Sequence, residues 1–333
     1  MDSSNNLKAN VAKEHYGQFG GIHFLTIVLG LVTVLLLIAG GLVTSNVAGD
    51  SVPDWPLSLG RWVLFGSRGF VGNVRYEYTH RAIAGAVTVA TALVALWAWV
   101  SPSLRKRFGW LTAAALGGVL AQAGLGGVRV LLPEYKAPIA IVHALVAQGF
   151  FCLVISLWVV TSNAWNSSRP TGTDTGNIPL RTVSAVTVGA ILVQLVLGAG
   201  FRHGVLGIGW HIGGAVAVTA LIGLTAHSAA RRHKSEPYIR RPAIVLSIFL
   251  LCQLGLGIGA YISRVASVND PQPLEPMVYL TVAHVVVGAL TLASALVLAL
   301  RCRQVLSAAS SEGVVGPAAP YASGLRGGET GRA

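Results

Sequence analysis

Tyr76-Glu77-Tyr78-Thr79-His80-Arg81 stands at the mouth of the second long apolar segment of the chain. Glu77 and His80, three residues apart, fall on one face of a helix. Titratable side chains just inside a membrane are costly to bury, and those that occur there usually have a task. Three further histidines, His143, His211 and His284, hold the matching place on three later apolar segments.

Working outward, eight runs are long enough to cross a bilayer, which takes about 20 apolar residues. They cover 23–44, 79–100, 110–131, 138–160, 183–201, 208–227, 243–262 and 278–300. Of the 333 residues, 53% are hydrophobic and 11% charged, against about 25% charged in an ordinary soluble domain. The expected fold is an all-α polytopic membrane protein with eight transmembrane helices. The net charge of +12 does not point to nucleic acid. Its sources sit in short runs between apolar segments: Arg105-Lys106-Arg107, Arg231-Arg232-His233-Lys234 with Arg240-Arg241, and Arg301 with Arg303. That placement is the positive-inside pattern. It predicts a membrane protein with both termini in the cytoplasm and all four histidines at the outer side.

The stretch between the fourth and fifth spans is rich in Ser, Thr, Gly, Asn and Pro and reads as a flexible linker. The expected organisation is a cytoplasmic segment 1–22, a four-helix bundle 23–161, a cytoplasmic linker 162–181, a second four-helix bundle 182–303 and a disordered tail 304–333. The two bundles read as pseudo-symmetric repeats. The third, fifth and seventh spans share Gln-x-x-Leu-Gly, at Gln122 to Gly126, Gln194 to Gly198 and Gln253 to Gly257. An arginine follows each (Arg129, Arg202, Arg264), and the next span opens with a histidine. The three cysteines, Cys152, Cys252 and Cys302, form no CxxC pair and give no disulfide framework. The polar N-terminus has neither signal-peptide nor transit-peptide character, so the first span reads as a retained helix.

Two imidazoles facing each other across a helix bundle can ligate one heme iron from both sides. His80 with His143, and His211 with His284, would make two bis-histidine sites. A histidine can also simply hydrogen-bond between helices; four at equivalent positions favour the heme reading. Glycines on the third and seventh spans allow a flat macrocycle near the backbone, or tight helix packing. Arg81, Arg129, Arg202 and Arg264 suit heme propionates or lipid phosphates. Glu77 could move protons or stabilise positive charge on a substrate; it could also serve the helix dipole or pair with Arg75 or Arg81. His203, beside Arg202, is a weaker candidate that could ligate in place of His211. His15, His23, His227 and His233 read as interfacial.

Gly40-Gly41-Leu42-Val43-Thr44, Val52-Pro53-Asp54-Trp55-Pro56-Leu57 and Glu77-x-x-His80-Arg81 resemble the heme A synthase family. So do Gln194-x-x-Leu-Gly-Ala-x-x-Arg202-His203 and the later histidines, the order of motifs being intact over about 22–303. The resemblance implies an eight-helix oxidoreductase that converts the C8 methyl of heme O to the formyl of heme A by successive hydroxylations. Heme O would sit between His80 and His143 with Glu77 as catalytic carboxylate, and a heme b cofactor between His211 and His284. An electron donor and heme O synthase would be partners. Many bacterial members carry a cysteine pair in the first outer loop; here those places hold Val52 and Ser58. A diheme b-type cytochrome for quinol-linked electron transfer would explain the histidines but leave Glu77 unused. A transporter with two parallel repeats would explain the repeats but not the place of the glycines.

Overall fold

The fold was analysed in a computed structural model. It describes residues 2–62, 71–167, 170, 172–174, 178–267 and 269–308, with 2–18 and 308 as backbone only. Nine α-helices are described: α1 (Asp2–Ser45), α2 (Val74–Val100), α3 (Pro102–Leu131), α4 (Lys136–Thr161), the short α5 (Asn163–Ser167), α6 (Leu180–Arg202), α7 (Ile208–Arg232), α8 (Pro237–Ala266) and α9 (Glu275–Val305). Eight of them, all but α5, are long and apolar enough to cross a membrane. The chain is an all-α polytopic membrane protein. Helix starts are written in the sequence: Pro102, Pro237 and Pro276 fall in first turns, where a missing N–H is no loss.

Apolar burial is divided among neighbouring helices. One cluster joins α1 to α4 through Leu29, Val87, Ala115, Phe150 and Val154. Another joins α6 to α9 through Ile191, Ile222, Leu246 and Leu292. A seam between them packs Phe151, Ile155 and Val159 of α4 against Ala289 and Ala293 of α9. Small residues let α9 lie deepest, as backbones of membrane helices approach closest through them. Hydroxyls tie helices where no water is available: Thr187 and Thr225 meet at 2.9 Å across α6 and α7. His23 Nδ1 reaches Thr161 Oγ1 at 3.0 Å between α1 and α4.

Three segments are built otherwise than expected. Backbone helix begins at Asp2, so the segment expected before the first span continues α1. The expected flexible linker contains α5 and a strand, β1 (Gly172–Asp174), paired in parallel with β2 (Leu306–Ala308). The physical reason is Asp174. Its carboxylate accepts the Leu180 and Arg181 backbone N–H groups, both at 2.8 Å, satisfying donors that the first turn of α6 cannot pair internally. Of the tail expected to be disordered, 304–308 form the end of α9 and β2; 309–333 lie outside the described residues. His233, expected to be interfacial, is buried, with Nε2 4.0 Å from Asp174 Oδ1. Asp174→Ala should cost about 1–2 kcal/mol, seen as a lowered unfolding midpoint in detergent; an unchanged midpoint would show that the cap carries no stability.

Candidate functional site

The site grows from the first turns of α2. Glu77 is 4% exposed, and both its carboxylate oxygens are engaged. Oε1 accepts from Arg81 Nη2 at 2.6 Å, and Oε2 accepts the Val52 N–H at 3.0 Å. The Arg81 guanidinium then gathers the loop that follows α1. Nη2 donates to Val52 O at 2.9 Å; Nη1 donates to Asp54 O at 2.6 Å, to Leu57 O at 3.0 Å and to Ser58 Oγ at 3.3 Å. Val52 and Ser58, where the resembled family often has cysteines, thus meet one cation. An arginine suits this work because its planar fork presents five donors.

Asp54 shapes the tip of that loop by accepting the Leu59 and Gly60 N–H groups, each at 2.8 Å. Both residues have positive φ, 54° and 75°, and Leu59 is the costly one. Partial burial of Asp54 works upward on its pKa. The Gly60 and Leu59 N–H groups and the Arg81 charge outweigh it and hold the carboxyl below its ordinary value. From α3, Arg129 Nη1 donates to Gly49 O at 2.8 Å, and the Trp55 ring lies against Gly127, where no side chain would fit. From α4, Lys136 pairs with Asp50 at 2.8 Å. The described part of the loop is fastened to three helices.

Beneath it lie the histidines. Each imidazole packs in a niche opened by a glycine of the preceding helix: His80 against Gly40, His143 against Gly126, His211 against Gly198, His284 against Gly257. Nδ1 of His80 and of His143 is buried with no hydrogen-bond partner among the described residues. The His211 and His284 rings face one another with centroids 6.2 Å apart and planes at 82°. A metal–imidazole bond runs about 2 Å, as in zinc sites, and rings with centroids this far apart leave room for one metal atom between them. His284 Nδ1 donates to the Gln253 carbonyl oxygen at 3.2 Å. Its Nε2 then accepts from the Gln253 side-chain amide at 3.2 Å, a donor that a metal bound at this nitrogen would displace. The residues present fit a heme. Among the described residues no three His, Cys, Asp or Glu side chains converge to hold a metal, so the candidate ligands come in twos.

The ring that faces His284 is that of His211. His203 caps the end of α6; burial, then the charges of Arg202 and Arg129, hold its imidazole below its ordinary pKa. The other arginines have protein partners: Arg202 Nη2 donates to Ser45 Oγ at 2.9 Å, and Arg264 lies over the Phe201 ring at 5.0 Å. The turn from His203 to Gly207 is tight, with Val205 and Leu206 N–H groups both returning to Gly200 O. Sequence reasoning saw the Gln-x-x-Leu-Gly repeat without its use. Gln122 Nε2 donates to His143 O at 2.8 Å and Gln194 Nε2 to His211 O at 2.9 Å. The signal was spacing: Gln and Gly four apart share one face of a helix.

Fold and site together define a multi-pass membrane protein with four histidines, each seated against a glycine of the neighbouring helix. The family model described as cytochrome oxidase assembly protein (COX15-CtaA) matches residues 67–210, which include Glu77, His80, Arg81, Arg129, His143, Arg202 and His203. The heme A synthase of Alkalihalophilus pseudofirmus is 24% identical over 131 residues, 39% of this chain and 43% of that protein. The heme A synthase of Shouchella clausii is 25% identical over 151 residues, 45% of this chain and 48% of that protein. The chain thus spans about half the length of the curated relatives it matches. Over these stretches the chain is similar to the two heme A synthases and to that family model.

Proposed function

We propose that this chain is a heme A synthase, an oxidoreductase that takes the C8 methyl of heme O to a formyl group. The observation that carries the reading is the set of four imidazoles in glycine niches, two rings of which stand at the separation one metal atom needs. In this reading His80 and His143 hold the substrate, heme O, and His211 and His284 hold heme b. Heme b supplies a one-electron redox centre when bound.

The rest is the work of this chain's own residues. The clamped loop excludes water from above the first pair, since Arg81, Arg129 and Trp55 close it onto α2 and α3. Glu77 is the carboxylate of the site, one helical turn from His80, and Arg81 fixes its direction. A negative charge held there favours positive charge developing on the substrate. Arg129, Arg202 and Arg264 stand at the histidine end, where they offer cationic partners to propionates. That end is placed outside a bacterial inner membrane, with both termini in the cytoplasm. An electron donor and heme O synthase remain partners in this proposal.

The deciding experiment co-expresses the chain with a heme O-producing enzyme and analyses acid-extracted hemes by chromatography and mass spectrometry. Heme A, or its hydroxylated precursor, is the expected result. Unmodified heme O with bound protoheme would replace the enzyme by a diheme cytochrome, and a purified protein without heme would overturn both.

A further inference from the structure

Between the end of α7 and the first turns of α8 lies a cavity of about 330 Å³, lined by Lys234, Ser235, Pro237, Arg240, Arg241 and Ile244. That is the lower end of the range of small-ligand pockets, about 300–1,000 Å³. His211 lies in the first turn of α7 and Lys234 just past its end. At about 1.5 Å per residue the cavity is roughly 30 Å along α7 from the histidines, and it belongs to no part of the candidate site.

Three of the six lining residues are cations, and none is an acid. The side chains of Lys234, Arg240 and Arg241 make no hydrogen bond or ion pair among the described residues. Neighbouring cations are taken up by the protein: Arg232 Nη1 donates to Ile178 O at 3.1 Å, and Arg301 lies over the Tyr238 ring at 5.1 Å. The acid of this turn, Glu236, caps α8 by accepting the Tyr238 N–H at 3.3 Å. The Ile239 and Arg240 N–H groups return to Glu236 O, so the charge of the cavity comes from its side chains. An apolar track leads away from it. Ile244, Ile248 and Leu251 recur at helical spacing beyond Arg240 and Arg241 and are 47%, 53% and 71% exposed. α8 is the least buried of the eight spans, so inside a membrane this face meets acyl chains.

We propose that the cavity binds the phosphate of an anionic phospholipid, one acyl chain of which follows Ile244, Ile248 and Leu251 for about 10 Å along α8. Basic pockets between membrane helices select anionic headgroups, and an arginine gives a phosphate two parallel N–H donors at once. A zwitterionic lipid would bring its own ammonium group among three cations. A soluble phosphate would leave the apolar track unused. The inference needs only the membrane placement of the chain and stands apart from the heme reading.

The test titrates the full chain, in a neutral detergent, with dioleoyl phosphatidylglycerol and counts bound lipid by native mass spectrometry. One lipid should bind ahead of any others, and dioleoyl phosphatidylcholine should not compete for its place. Lys234→Gln, Arg240→Gln and Arg241→Gln should each weaken that binding about fivefold, and the three together on the order of a hundredfold. Arg105→Gln, Lys106→Gln and Arg107→Gln, combined, remove the same charge from the start of α3 and should leave the binding unchanged. The unfolding midpoint without lipid reports the fold of each variant; should the triple variant unfold early, the single substitutions decide. Equal loss in the α3 variant would reduce the binding to diffuse charge and overturn the proposal, as would equal binding of phosphatidylcholine. Inorganic phosphate that displaced the lipid at equal concentration would overturn it too, and assign the cavity to a soluble phosphate.

Discussion

Glu77→Gln should keep both hemes bound while heme A formation falls at least about a hundredfold, the lower range for a positioned proton-transfer group. The substitution keeps the size of the side chain and one acceptor oxygen, so much of the loop contact survives. What it removes is the charge. Arg81→Ala makes the opposite change: the carboxylate stays, but the Val52, Asp54, Leu57 and Ser58 contacts go. It also leaves Glu77 buried without its cation, a loss of about 3–5 kcal/mol for a buried pair. Hydrogen exchange separates the two. The Val52 amide donates to Glu77 Oε2, so its exchange should rise strongly in Arg81→Ala and weakly in Glu77→Gln. Wild-type heme A from Glu77→Gln would take the carboxylate out of the reaction and leave it as part of the loop fastening.

What the sequence showed and what it hid follow from the range of the interactions. Eight spans and four histidines are legible because they are long or periodic: apolar runs of bilayer length, and a histidine returning after each Gln-x-x-Leu-Gly. The contacts of Arg81 are not legible, since most go to backbone carbonyls of a loop more than 20 residues away. Backbone acceptors leave no trace in residue type. Asp174 was hidden by composition: Ser, Thr, Gly and Asn around it look like a linker, while its carboxylate caps α6 from 6 residues away.

His143→Ala and His284→Ala should each empty one heme site and spare the other. His143 lies in the Gly126 niche, and His284 lies in the Gly257 niche with its ring plane at 82° to that of His211. Each substitution removes one of two ligands and leaves a five-coordinate iron at best, which binds more weakly and changes its absorbance. The seam joining α4 to α9 begins at Phe151 and Ala289. At a rise of about 1.5 Å per residue, these lie roughly 12 Å and 8 Å along their helices from the two histidines. The apolar contacts of that α4–α9 seam are thus untouched by either change. Absorbance spectra and heme content of the purified variants decide it. His143→Ala should keep the second-pair spectrum, and His284→Ala should keep binding at the first pair. If either variant lost all heme, the two histidine pairs would be coupled through the seam, and the halves would have to be treated as one unit.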